Sequence, residues 1–174
     1  MRDRYRCIAR VEKTHGRRGE VVTVPVHGLP SLVREGLDVA VVPPELRGSR
    51  WHTVVSCSSD GRSGSLVALD GVGDLAAAER LVGRHLLARL SDLPEDLALH
   101  DAGRLVGREV VDERSGDTAT IAEVMVGPAN DVWVLRGSRG ELLLPVIDDV
   151  VSEVPENGPV VVRIPAGLEW EATR

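Results

Sequence analysis

The chain has 174 residues, 43% of them apolar, with a formal net charge of −6. That length holds one large domain or two small ones at modal sizes of about 100–150 residues. A mean hydropathy of −0.03, with no run near the roughly twenty apolar residues that span a bilayer, speaks against a membrane protein.

The charge is uneven. Residues 1–88 carry thirteen Lys/Arg against ten Asp/Glu, net +3, and residues 89–174 carry eight against seventeen, net −9. Two such halves suit different partners. The N-terminus, MRDRYRCIARVEK, has basic residues but no apolar stretch behind them, so it does not read as a secretory signal.

From Arg4 to Glu12 apolar and basic residues alternate with one exception, Ile8, which predicts a strand with a basic outer face. Thr14-His15-Gly16-Arg17-Arg18-Gly19-Glu20 reads as a tight connection, and Glu20 to Val26 as a second strand that Pro25 marks as an edge or bulge. Short β-prone runs recur at Asp38–Val42, Trp51–Cys57 and Ser65–Leu69, a rhythm that indicates a sandwich or barrel. One helix is predicted, Leu75 to Val82, capped by Asp74 and stopped by Gly83, with Leu75, Ala78 and Val82 as the face that plugs a barrel end. Arg84 to Leu90 returns to strand.

Ser91 to Asp101, with four acidic residues, a proline and no period, reads as a linker between a first domain over residues 1–90 and a second over 102–174. The second reads as strands at Leu105–Val111, Thr118–Val126, Val132–Leu135, Glu141–Val146, Val150–Val154 and Val160–Ile164. Gly137 to Gly140 is predicted as a four-residue hairpin connection. Leu142, Leu143 and Leu144 lack alternation, which predicts a strand covered on both faces, as in a small closed barrel. Asn130-Asp131 has turn chemistry, and Ile147-Asp148-Asp149 marks where the chain leaves the strand.

Most catalytic chemistries find no support. Cys7 and Cys57 lie too far apart in sequence for metal-ligand spacing and read as reduced core residues. The histidines are scattered without i, i+4 pairs, so no metal site is assigned. No nucleophile elbow groups the serines with His and Asp. Gly71-Val72-Gly73-Asp74 lacks the later residues of a phosphate loop and reads as a helix entry. Three Trp, one Tyr and no Phe argue against an aromatic RNA-stacking sheet. What remains is a basic turn, Lys13, His15, Arg17 and Arg18, suited to phosphate, and the adjacent acids Asp148 and Asp149, suited to docking a basic protein.

Residues 8–21 (IARVEKTHGRRGEV), 76–88 (AAAERLVGRHLLA), and GPANDVWVL with LLLPVIDDVV and a later IPAGL occur in this order and spacing. Together they resemble the RimM family of ribosome maturation factors over nearly the whole chain. The resemblance implies an all-β protein of two small barrels, a six-stranded translation-factor-like barrel and a C-terminal PRC-type barrel, with one short helix. It implies a non-catalytic, cytoplasmic, monomeric factor without cofactor. Such a factor binds the head of the immature small ribosomal subunit, through a basic ribosomal protein (the nineteenth) and nearby rRNA, and promotes small-subunit rRNA processing. Lys13, His15, Arg17 and Arg18 are then the rRNA candidates. Leu97, Leu99, His100, Asp101, Ile147, Asp148 and Asp149 are the protein-docking candidates. One departure is visible: where the family has a tyrosine pair in the linker, this chain has Leu97-Ala98-Leu99 before His100-Asp101. A flavin-using split-barrel oxidoreductase and a PRC-barrel small-molecule sensor remain as alternatives.

Overall fold

Alternation along the first eleven-residue strand, β1 (Tyr5–His15), is interrupted for a physical reason. Pairing with the later strand β6 (His85–Arg89) slips between Cys7 and Ala9, a bulge that lets Ile8 and Ala9 both face inward at 0% and 1% exposure. The computed structural model describes residues 4–45, 48–127 and 129–172. Pro128 of the central stretch, Arg2 of the basic N-terminus and residues 173–174 of the tail lie outside them.

The chain divides into two compact units, Met1–Glu95 and Asp96–Arg174. In the first, β2 (Glu20–Pro25), β3 (Asp38–Val42), β4 (Trp51–Ser59) and β5 (Ser65–Leu69) join β1 and β6 in a closed barrel of order β1-β2-β5-β4-β3-β6. Inward-pointing Ile8, Val11, Val21, Val39, Val67 and Leu86 are all fully buried. Each such aliphatic side chain contributes about 1.5–3 kcal/mol on burial.

The predicted helix exists but is shorter: α1 spans Leu75–Glu79, and Asp74 accepts from the Ala77 amide at 2.7 Å. Because the helix ends before Val82, the expected face does not form. Leu75 and Val82 are 37% and 42% exposed, and the apolar contact is made by Ala78 and Leu81 instead.

The stretch from Ser91 to Asp101 is ordered. A 3-10 turn covers Leu90–Asp92, and two four-residue helices follow, α2 (Leu97–His100) and α3 (Ala102–Leu105). The described residues therefore form three short α-helices rather than one. Leu105, expected to begin a strand, ends α3 in the core at 1% exposure.

The second unit is a six-stranded sheet of order β10-β9-β8-β7-β12-β11 wrapped about one core. Its strands are β7 (Glu109–Asp112), β8 (Thr118–Met125), β9 (Val132–Gly137), β10 (Gly140–Pro145), β11 (Val151–Glu153) and β12 (Val160–Val162). The fold class is all-β, as the sequence indicates. Trp133, at 0% exposure, is the largest core side chain, beside Leu135, Leu142 and Leu144. Two details differ from the sequence reading. Gly137 pairs with Gly140, so the hairpin loop is only Ser138-Arg139. Leu143 is 53% exposed between buried Leu142 and Leu144, so β10 alternates and one of its faces meets solvent.

Candidate functional site

The basic turn is set by strand geometry. The β1–β2 register slips between Val11 and Lys13, so Glu12 and Lys13, though adjacent, are both exposed. Beyond them His15 pairs with Glu20, leaving Gly16-Arg17-Arg18-Gly19 as the tip. Gly19 has φ +85°, and a Cβ there would run into the Val72 carbonyl of the turn before α1. Only glycine allows that approach, so the tip is seated on the barrel rather than waving above it.

Lys13, His15, Arg17 and Arg18 are all exposed at this end of the barrel. Among the described residues, no hydrogen bond or ion pair engages their side chains. Several other arginines are compensated: Arg80 and Arg84 share Glu45, Arg89 meets Asp38 and Asp92, and Arg163 meets Glu113. Cations left without an internal partner on a fixed turn offer phosphate contacts with no ion pair to break first.

The docking candidates separate into two groups. Ile147, 36% exposed, and the exposed Asp148 and Asp149 form a turn after β10, closed by the Val150 and Val151 amides donating to the Ile147 carbonyl at 2.9 and 3.0 Å. In a turn, neighbouring carboxylates are not forced to opposite faces as they would be in a strand. The remaining four are buried or already engaged. Leu97 is buried, and Leu99 packs against the core around Trp133. His100 holds Asp131 Oδ2 at 2.6 Å through Nδ1, with Asp96 at 3.6 Å from Nε2. Asp101 is 3% exposed.

Further apolar surface lies along the outer face of β8 and β10 and just past the end of β8. Met125 (48% exposed), Val126 (76%) and Leu143 (53%) reach solvent there, and Met125, Val132 and Pro145 form one cross-strand row. Sequence reading missed this patch because it assumed that β10 was covered on both faces.

Sequence reading also missed two carboxylates. Asp131 is 6% exposed and, besides His100, accepts from the Gly127 amide at 3.4 Å. Asp112, 7% exposed, accepts from Ser115 Oγ at 2.8 Å and from the Ile164, Ser115 and Arg114 amides at 3.2, 3.3 and 3.4 Å. Burial pushes its carboxyl upward, but these four donors outweigh burial and hold it below the ordinary 3.8. Both carboxylates are structural clasps, and their distant partners, Ile164 and His100, lie too far off in sequence for spacing to reveal them. Among the described residues, no three His, Cys, Asp or Glu are grouped as metal ligands, and no helix is long and apolar enough to cross a membrane.

No protein-family model matches the chain. Curated relatives do. The ribosome maturation factor RimM of Rubrobacter xylanophilus is 37% identical over 161 residues, 91% of this chain and 93% of the relative. Its namesakes of Desulforamulus reducens and Bacillus cereus are each 29% identical, over 97% and 92% of this chain and 99% and 96% of their own lengths. A crystal structure of a Pseudomonas aeruginosa 16S ribosomal RNA processing protein RimM, 22% identical, covers 94% of this chain and 99% of its own at a TM-score of 0.44, too loose a likeness to argue from. On the 37% identity across nine-tenths of both chains, this protein belongs to the RimM family of ribosome maturation factors.

Proposed function

We propose that this chain is a ribosome assembly factor that works by binding rather than by chemistry. It engages the head of the immature small subunit, touching rRNA with the first unit and a basic ribosomal protein (the nineteenth) with the second. The observation that carries the reading is the set of uncompensated cations, Lys13, Arg17 and Arg18 with His15, on a tip that Gly19 fixes to the barrel. The relatives' name supports it, as does the opposite charge of the two units. Residues 1–95 hold fourteen Lys/Arg against twelve Asp/Glu, and residues 96–174 hold seven against fifteen.

A basic protein is drawn to the second unit by its field, while exposed apolar groups supply most of the affinity. Met125, Leu143 and Ile147 fit the apolar role, with Asp148 and Asp149 as acids beside Ile147. Binding one assembly intermediate more tightly than its alternatives shifts the population toward the mature subunit and its processed rRNA. The factor acts in the cytoplasm, as a monomer. Co-sedimentation with purified immature and mature small subunits tests the proposal. Retention on immature subunits in preference to mature ones is the expected result, and equal or absent retention on both overturns it.

A further inference from the structure

The strand order β1-β2-β5-β4 places the tip of a second hairpin, between β4 and β5, across β2 from the end of β1. A groove of about 370 Å³ lies between them, within the roughly 300–1,000 Å³ range of small-ligand sites. Its floor is apolar: Val22 and Leu66 stand side by side in the row Lys13–Val22–Leu66. Lys13 and His15 line one side, Arg62 the other. Arg62 is exposed and, like Lys13 and His15, has no side-chain partner among the described residues.

The acid in the lining, Asp60, is already engaged. Its Oδ1 accepts from the Arg62 amide at 2.8 Å and the Gly64 amide at 3.0 Å, which folds the turn that carries Arg62. Both walls are thus preformed, one by Gly19 on Val72 and the other by Asp60, so little ordering opposes binding.

We propose that this groove seats one nucleotide of single-stranded RNA, its phosphates on Lys13, His15 and Arg62 and its sugar and base on half-buried Leu66, with Val22, 2% exposed, beneath. This rests on the RNA-binding reading and extends it to the β4–β5 turn. An apolar floor between cations suits a ligand that is anionic at its ends and flat and weakly polar in between. A duplex can offer its phosphates to the rim but keeps its bases stacked away from the floor.

The test uses the full chain, with a short oligouridylate, a blunt RNA duplex and uridine monophosphate as probes, titrated across a series of salt concentrations. Arg62→Ala is expected to leave the melting temperature unchanged and lower the salt slope for the oligouridylate by about one, the signature of one lost phosphate contact. Leu66→Asn is expected to weaken oligouridylate binding severalfold with the salt slope and duplex binding unchanged, because it removes apolar contact alone. An unaltered slope in Arg62→Ala overturns the groove, as does a Leu66→Asn loss shared equally by duplex and single strand. Uridine monophosphate binding as tightly as the oligouridylate overturns the RNA assignment in favour of a free nucleotide. Arg17→Ala with Arg18→Ala, outside the groove, separates the two readings. If that pair weakens RNA binding while Arg62→Ala does not, only the groove fails, and if the unaltered chain binds no RNA probe, the underlying reading fails too.

Discussion

The two units each contain a glycine-flanked hairpin, and the two hairpins are alike in how a glycine is pinned and different in how their arginines are answered. At the β1–β2 tip Gly19, φ +85°, lies against the Val72 carbonyl; at the β9–β10 tip Gly140, φ +114°, lies against the Glu171 carbonyl. The second contact extends a clasp in which Glu141 and Glu171 exchange backbone hydrogen bonds at 2.7 and 2.8 Å. Both tips carry arginines. In the second, Arg136 pairs with Glu141 at 3.0 Å and Arg139 with Asp117 at 3.3 Å. In the first, Arg17 and Arg18 pair with nothing among the described residues. Close backbone approach fixes a hairpin in either case. On the proposed reading, whether its cations are answered within the chain is what separates a structural tip from a binding one.

The largest effects should come from the feature the hairpins share. Gly19→Ala and Gly140→Ala each force a side chain into a backbone carbonyl at positive φ. Left-handed backbone alone costs an L residue about 1–2 kcal/mol, and with the clash each variant should lose more than about 2 kcal/mol in denaturant unfolding. Gly16, with φ +64° and only an ordinary contact to the Glu20 carboxylate at 3.8 Å, should tolerate alanine better than Gly19. If Gly19→Ala is no worse than Gly16→Ala, the tip is not pinned.

Next in size is the Asp112 clasp, which ties the β7–β8 turn to Ile164. Asp112→Ala strands several donors and should cost about 1–3 kcal/mol. The pH sign follows from its lowered pKa. Near pH 3.8 the unfolded chain binds the proton more readily than the folded one, so the contribution is complete above that range and lost as pH falls through the lower folded value. Unfolding free energy followed from pH 6 downward should therefore decline less steeply in Asp112→Asn than in the unaltered chain, and parallel curves would remove Asp112 as a cause of acid sensitivity.

The smallest expected change in stability is at the basic tip itself. Lys13, Arg17 and Arg18 changed together to Ala should shift unfolding by less than about 0.5 kcal/mol, since the lost charges are exposed and unpaired. On the acidic side, Asp148→Lys with Asp149→Lys should slow association with a basic ribosomal protein, whereas Ile147→Ala should chiefly speed dissociation. Binding kinetics on the purified protein would show the two apart, and equal shifts in both rates would undo the division into field and contact.

Strands were legible in the sequence because period-two alternation and glycine punctuation act locally. Even the irregular Ile8 was visible as an exception, although only pairing with β6 shows that it is a bulge. Four-residue helices such as α2 and α3 are too short to display a period, so neither was legible in the sequence. Leu143 misled because three leucines in a row look buried, while strand geometry turns the middle one outward. The basic turn could be read directly, since its residues fall within one six-residue stretch. Its extension to Arg62 could not, because only the strand order brings that residue alongside Lys13. The His100–Asp131 contact, 31 residues apart, was hidden for the same reason.

The most direct test is the salt dependence of full-chain binding to a small-subunit rRNA head fragment, with the two hairpins altered separately. Lys13→Ala, Arg17→Ala and Arg18→Ala combined should flatten the slope of log K against log salt by about two to three, whereas Arg136→Ala with Arg139→Ala should leave it unchanged. Equal flattening by both sets, or none by the first, would contradict the claim that the uncompensated tip is the one that meets RNA.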